Sequence, residues 1–165
     1  MQLKVNINES YSLWKNHKKI NKHFIKKVLS NIIDYHPNIH SSELAISLLL
    51  CDNSDIAILN KQFRNKNAPT NVLSFPDSNR KLCDQNTSLE ELYCGDLAFA
   101  YELISEEAKI ADKKFEDHFT HLLIHGILHL LGYTHDKEID ANKMESLEVK
   151  LLCKLSITSP YNITK

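Results

Sequence analysis

The run His125-Gly126-Ile127-Leu128-His129-Leu130-Leu131-Gly132-Tyr133-Thr134-His135 constrains this chain more than any other segment. Histidines four apart on a helix share one face and rise by only about 6 Å, so His125 and His129 can both reach one ion. The helix must then stop. Gly132 is suited to the left-handed conformation that ends a helix, after which Tyr133 and Thr134 can turn the chain back and bring His135 to the same point. Three neutral imidazoles with a fourth position open describe a catalytic zinc site rather than a closed structural one.

One class of zinc protease uses this histidine spacing, but it needs a glutamate directly after the first histidine as general base. Gly126 stands there and can neither accept nor deliver a proton, so the ligand set is compatible with metal binding and not with that peptidase chemistry. The chain has only 3 glycines, Gly95, Gly126 and Gly132. A glycine inside a helix costs roughly 1 kcal/mol relative to alanine, so Gly126 predicts a close approach by a neighbouring element or a substrate. His118 and His121 lie upstream as alternative ligands. His121 and His129 are separated by roughly 12 Å along a helix, too far for one ion with metal–nitrogen distances of about 2 Å. His121 with His125 lacks a third partner as well placed as His135. The plainer alternative, histidines satisfied in the core or at the surface, stands beside the ligand reading.

At 165 residues and 42% hydrophobic, the chain has apolar material for one core. A net charge of −1 excludes a basic nucleic-acid coat, so any contact with nucleic acid must be local. Cys51, Cys83, Cys94 and Cys153 form no CxxC pair, which excludes a zinc ribbon and suits reduced thiols in a cytoplasm. The N-terminus alternates apolar and polar residues and predicts neither a signal peptide nor a membrane span; a soluble cytoplasmic protein is expected.

Leu3, Val5 and Ile7 predict a strand; Ile20 to Ile33 predict an amphipathic helix closed by Pro37. Leu44 to Cys51 predicts a buried strand. Asn53 or Ser54 is expected to cap a helix carrying Ile56, Leu59 and Phe63, which ends before Pro69. Val72 to Phe75 and Gly95 to Ala100 predict two further strands, with an exposed loop from Asp77 to Glu90 between them. Helices are expected from Tyr101 to Ala111, Phe115 to Leu131 and Ile139 to Leu155. The expected architecture is α+β, a small mixed sheet of about four strands packed against about five helices. It forms a single domain over residues 1–155, with a loose tail over 156–165.

Arg64 is the second candidate for function. Of the 20 basic residues only Arg64 and Arg80 are arginines, so a planar fork is singled out in the stretch FRNKNAPTNVLSFP. A guanidinium facing the metal can bind two phosphate oxygens and stabilise the charge that grows in phosphoryl transfer; a surface arginine after a helix is the simpler alternative. Lys15, Lys18, Lys19, Lys22, Lys26 and Lys27 can contact a phosphate backbone, although such a run is more often the solvated face of a helix. Met144 sits in a helical pattern with Leu147 and Leu151 and is expected in the core.

With these residues laid out, the chain resembles the YbeY family of bacterial ribosomal-RNA maturation endoribonucleases. The resemblance rests on FRNKNAPTNVLSFP at 63 to 76, GDLAFA at 95 to 100 and HGILHLLGYTH at 125 to 135. It implies one Zn2+ per chain held by His125, His129 and His135, and a functionally essential Arg64. It implies cleavage of single-stranded RNA in 3′-end maturation of small-subunit (16S) ribosomal RNA and in ribosome quality control. The implied partners are ribosomal RNA, the small ribosomal subunit, ribosomal proteins or a ribosome-associated GTPase, with no membrane and no DNA. The chain departs from the family pattern at Thr134 and Asn71, where aspartates are usual, and neither replacement titrates near neutrality; Asp136 can serve as a partner of a histidine ligand, although an exposed carboxylate at a helix start is the simpler reading. The alternative function is a metal-binding ribosome-assembly factor that binds ribosomal RNA or protein without significant cleavage of its own.

Overall fold

Alternation along the N-terminus produces the first strand, β1 (Gln2–Glu9), with Val5 buried against the core. In this computed structural model, which describes residues 1–78 and 89–161, a short 3-10 turn (Ser12–Asn16) follows and buries Trp14. Helix α1 (Lys22–Ile33) begins where the Asn21 side chain accepts a hydrogen bond from Phe24 N at 3.0 Å. It lays Ile25, Val28, Leu29 and Ile32 on the core and leaves Lys22, Lys26 and Lys27 exposed, as are Lys15, Lys18 and Lys19 before it.

Strand β2 (Ser41–Cys51) pairs in parallel with β1, and α2 (Asn53–Arg64) follows immediately. Its cap is Asp52, one residue earlier than expected, because β2 runs to Cys51 and leaves Asp52 in the extended conformation; its carboxylate accepts from Asp55 N at 2.8 Å. Asn53 serves elsewhere, accepting from Leu103 N at 3.3 Å. Strand β3 (Val72–Pro76) forms the sheet edge and pairs antiparallel with β4 (Leu89–Ala100), which is itself parallel to β2. The sheet order is β1-β2-β4-β3, a mixed four-stranded sheet.

Strand β4 begins well before Gly95, because Leu92 and Cys94 are buried at period-two spacing within a stretch that reads as polar. Most of the expected loop from Asp77 to Glu90, with Cys83 and Arg80, lies outside the described residues. Gly95 adopts φ 135° at an irregularity in the β2–β4 register, and a side chain there would overlap the Phe75 carbonyl.

Three helices complete the domain: α3 (Tyr101–Ile110), α4 (Phe115–Leu130) and α5 (Glu138–Lys154). Alternate residues of β4 face two ways. Leu97 and Phe99 join the main core with α1, α4 and α5, while Ala98 and Ala100 join a smaller cluster with Ile56 of α2 and Leu73 of β3. Met144 is buried in the main core, as expected. No helix among the described residues is long and apolar enough to cross a membrane.

Candidate metal centre

Helix α4 is apolar on most of its circumference, with nine buried residues from Phe119 to Leu130, and its histidines occupy the remaining stripe. It stops as its sequence requires. Gly132 takes φ 97°, its N–H donates to the His129 carbonyl at 3.0 Å, and Tyr133 N donates to the Leu128 carbonyl at 3.0 Å. This paired closure at a left-handed glycine reverses the chain and returns His135 to the helix. Tyr133 is fastened by the turn that follows α1: its hydroxyl donates to His36 Nε2 at 2.9 Å, while His36 Nδ1 donates back to the Ile32 carbonyl at 2.8 Å.

One ring nitrogen from each of His125, His129 and His135 lies within 4.8 Å of the others. The hydrogen bonds on the far side of two rings decide what they present. His129 Nδ1 donates to the Tyr133 carbonyl at 2.9 Å, and His125 Nδ1 donates to Glu148 Oε1 at 2.7 Å. In neutral rings both protons therefore sit on Nδ1, and both Nε2 atoms carry lone pairs. Those two Nε2 atoms stand 3.0 Å apart. Burial, with the neighbouring His125 next, holds His129 below the usual imidazole range and so keeps it neutral. Two lone pairs facing at that separation repel unless a proton or a metal cation is shared by them, and three imidazoles converging with one side open are a donor set that fits a divalent transition metal.

The open side is a cavity of about 720 Å³ whose lining includes the three histidines together with Arg64, Asn71 and Ser74. Arg64 ends α2, where Asn65 takes a left-handed φ of 55° and Asn60 Nδ2 donates to the Ala68 carbonyl at 2.8 Å, ordering the loop that follows. No ion pair engages Arg64 among the described residues, so its guanidinium is available to an anion in the cavity. Gly126 is explained by packing: a Cβ there would stand 2.8 Å from Leu97 Cδ2 and 3.5 Å from Ser74 Oγ, so its absence lets α4 lie close on β3 and β4.

His118 and His121 are not part of the converging trio: His118 meets Glu107 at 3.2 Å and His121 meets Glu148 at 3.0 Å. Asn71 donates its amide to both Glu107 oxygens at 3.0 Å, and Thr134 and Asp136 are exposed on the cavity wall. Asp136 is exposed, as the simpler reading expected, and the carboxylate that bonds to His125 is Glu148, which the sequence did not single out: it is fully buried on α5, receiving His121, His125 and the Tyr161 hydroxyl. Burial pushes its carboxyl up, and those three donors overcome it, holding it at about 2. A charged residue within the stripe Met144, Leu147, Leu151 was the signal. Tyr161, within the segment expected to form a tail, reaches this carboxylate.

A family model described as Endoribonuclease YbeY matches residues 10–156. An Endoribonuclease YbeY from Francisella philomiragia subsp. philomiragia is 38% identical over 141 residues, covering 86% of each protein. The solution structure of TM1509 from Thermotoga maritima shares the fold with a TM-score of 0.55 at 21% identity, covering 99% of this chain and 98% of that one.

Proposed function

Because the chain belongs to the YbeY family of endoribonucleases, we propose that it cleaves single-stranded RNA at a phosphodiester held between the three-histidine centre and Arg64. The observation that carries this reading is the convergence of three ring nitrogens within 4.8 Å in a cavity that Arg64 also lines, with no ion pair to Arg64 among the described residues. We take the ion to be zinc, the substrate to be ribosomal RNA in 3′-end maturation of the small subunit and in ribosome quality control, and the setting to be the cytoplasm.

When bound, the ion supplies Lewis acidity, which polarises a phosphate oxygen or makes water a stronger nucleophile near neutral pH. The chain's own residues do the remainder. Tyr133 O and Glu148 hold the protons of His129 and His125 on Nδ1, so both Nε2 atoms serve as ligands without a proton having to leave. Arg64 offers a fork of N–H donors that grips two phosphate oxygens and balances the charge that accumulates on phosphorus in the transition state. Asn71 is engaged by Glu107 and has no titratable group, so it orients and does not move a proton.

The test is cleavage of synthetic single-stranded and duplex RNA by purified protein, with and without chelator, alongside Arg64→Glu. The expected result is cleavage of the single strand only, lost on chelation, restored by zinc and reduced by about 100-fold or more in the folded, zinc-loaded variant. Zinc-loaded wild-type protein that binds ribosomal subunits and never cuts RNA would replace this reading with that of a metal-organised assembly factor. Cyclic 2′,3′-phosphate ends on the products would assign the attack to the ribose hydroxyl rather than to water.

A further inference from the structure

Three polar residues are buried among the described residues: Asn60, Thr120 and Glu148. Asn60 and Thr120 bond to nearby backbone carbonyls. Glu148 is different, because it brings a full charge into the apolar face of α5, which costs several kcal/mol unless the charge is well paired. Its two oxygens divide the work. Oε1 accepts from His125 Nδ1 at 2.7 Å; Oε2 accepts from His121 Nε2 at 3.0 Å and from the Tyr161 hydroxyl.

From this arrangement, and resting on the reading that the histidines hold a metal, we infer that Glu148 is a positioning residue for the centre and that Tyr161 makes the C-terminal tail part of it. Glu148 fixes the His125 tautomer and ring orientation, aiming the Nε2 lone pair at the shared point. Tyr161 closes the third side of the carboxylate, so the tail keeps water from competing for it. Partners of this kind typically change metal affinity by 10- to 100-fold when lost, roughly the loss expected for Glu148→Gln.

The test measures zinc affinity by competition with a chromophoric chelator for wild type, Glu148→Gln and Tyr161→Phe. Imidazole proton–nitrogen spectra of each zinc-loaded protein accompany it. Glu148→Gln is expected to weaken zinc binding and to lose the strongly downfield Nδ1 proton of His125, a signature that a merely structural role would leave in place. Tyr161→Phe is expected to weaken binding by roughly 3-fold or more. A folded Glu148→Gln with wild-type affinity and an unmoved proton signal overturns the inference. If that variant does not fold, wild-type affinity in Tyr161→Phe overturns it. Wild-type protein that takes up no zinc sinks the metal reading itself, and this inference with it.

An independent observation lies on the other side of the edge strand. Phe63, on the last turn of α2, is 60% exposed, its ring propped at 5.1 Å against Phe75 in a tilted edge contact. From Ile56 to Pro76 the chain has no aspartate or glutamate and carries Lys61, Arg64 and Lys66. Arg64 lines the metal cavity with Ser74 and Pro76 of β3, while Phe75, between them, packs toward α2. Phe63 directly precedes Arg64 in the chain, so a nucleotide next to a phosphate held at Arg64 comes within its reach. The geometry points to Phe63 as a stacking platform for one unpaired base beside the scissile phosphate. Selectivity for single strands follows, since a base inside a duplex cannot leave its neighbours to stack on a side chain.

This second inference rests on the RNA-cleaving reading and is tested apart from it. Binding and cleavage of a single-stranded RNA labelled with 2-aminopurine are measured for wild type, Phe63→Leu and Phe63→Trp. Phe63→Leu is expected to raise Kd and KM by roughly 5- to 150-fold with kcat little changed, and Phe63→Trp to keep wild-type binding. Wild type that binds and cuts RNA while Phe63→Leu matches it overturns the platform alone. Wild type that neither binds nor cuts RNA overturns both.

Discussion

A methyl group on Gly126 would stand 2.8 Å from Leu97 Cδ2, inside the core where Leu97 is 1% exposed. Alanine there gains about 1 kcal/mol of helix propensity and loses about 1–3 kcal/mol to overpacking, so packing wins by a small margin. Gly126→Ala is therefore expected to lower the Tm by about 2–4 °C in thermal melts followed by circular dichroism. An unchanged or higher Tm would show that Leu97 yields freely. At this scale the sequence exposed the peculiarity of Gly126 but not its cause. The residue that needs the space is Leu97, 29 positions away in the numbering, on a strand whose register no local pattern reveals. Glu148 was hidden for the same reason. Its place in an apolar stripe could be seen, whereas its partners His121, His125 and Tyr161 meet only after α4, α5 and the tail are packed.

Helix α4 was the most legible element, because periodicity, a terminating glycine and a histidine stripe all agree on where it runs and where it stops. The 3-10 turn over Ser12–Asn16 was not legible, since a single buried Trp14 has no period. It is held to the start of α4 by His17, whose Nδ1 meets Glu116 Oε1 at 3.0 Å and whose ring stacks on Phe115 at 4.0 Å. The hydrogen bond from His17 holds the Glu116 carboxyl below its ordinary value of 4.5. A depressed carboxylate pKa contributes stability that is present above the ordinary value and lost as pH falls through the folded one. Urea unfolding is expected to show wild type losing more stability than Glu116→Gln on going from about pH 6 to pH 4 and below. Equal losses in both proteins would mean that this pairing does not tie the turn to α4.

Across the whole molecule, the mixed sheet provides the floor and its edge the doorway. Strand β3 sits at the end of the order β1-β2-β4-β3, and its Ser74 and Pro76 line one cavity with Arg64, at the end of the preceding α2, and the histidines of α4. The sequence conveyed the element types and the mixture of parallel and antiparallel pairing from the alternation of strands with helices. The strand order and the early start of β4 depended on tertiary contacts. A metal at the centre would join α4 to the turn that His36, just beyond α1, fastens through Tyr133. Zinc held at about 100 times its Kd should add about 2.7 kcal/mol of stability. For a chain of this length that raises the Tm by roughly 5–10 °C, and the rise should vanish in His129→Ala. An equal rise in that variant would place the binding elsewhere.

The most direct measurement is the zinc-to-protein ratio of wild type and His129→Ala after dialysis against metal-free buffer, read by atomic emission. Convergence of His125, His129 and His135 on one point predicts about one zinc per chain in wild type and close to none in the variant. A wild-type protein without zinc, or a variant that retains the full complement, would contradict it.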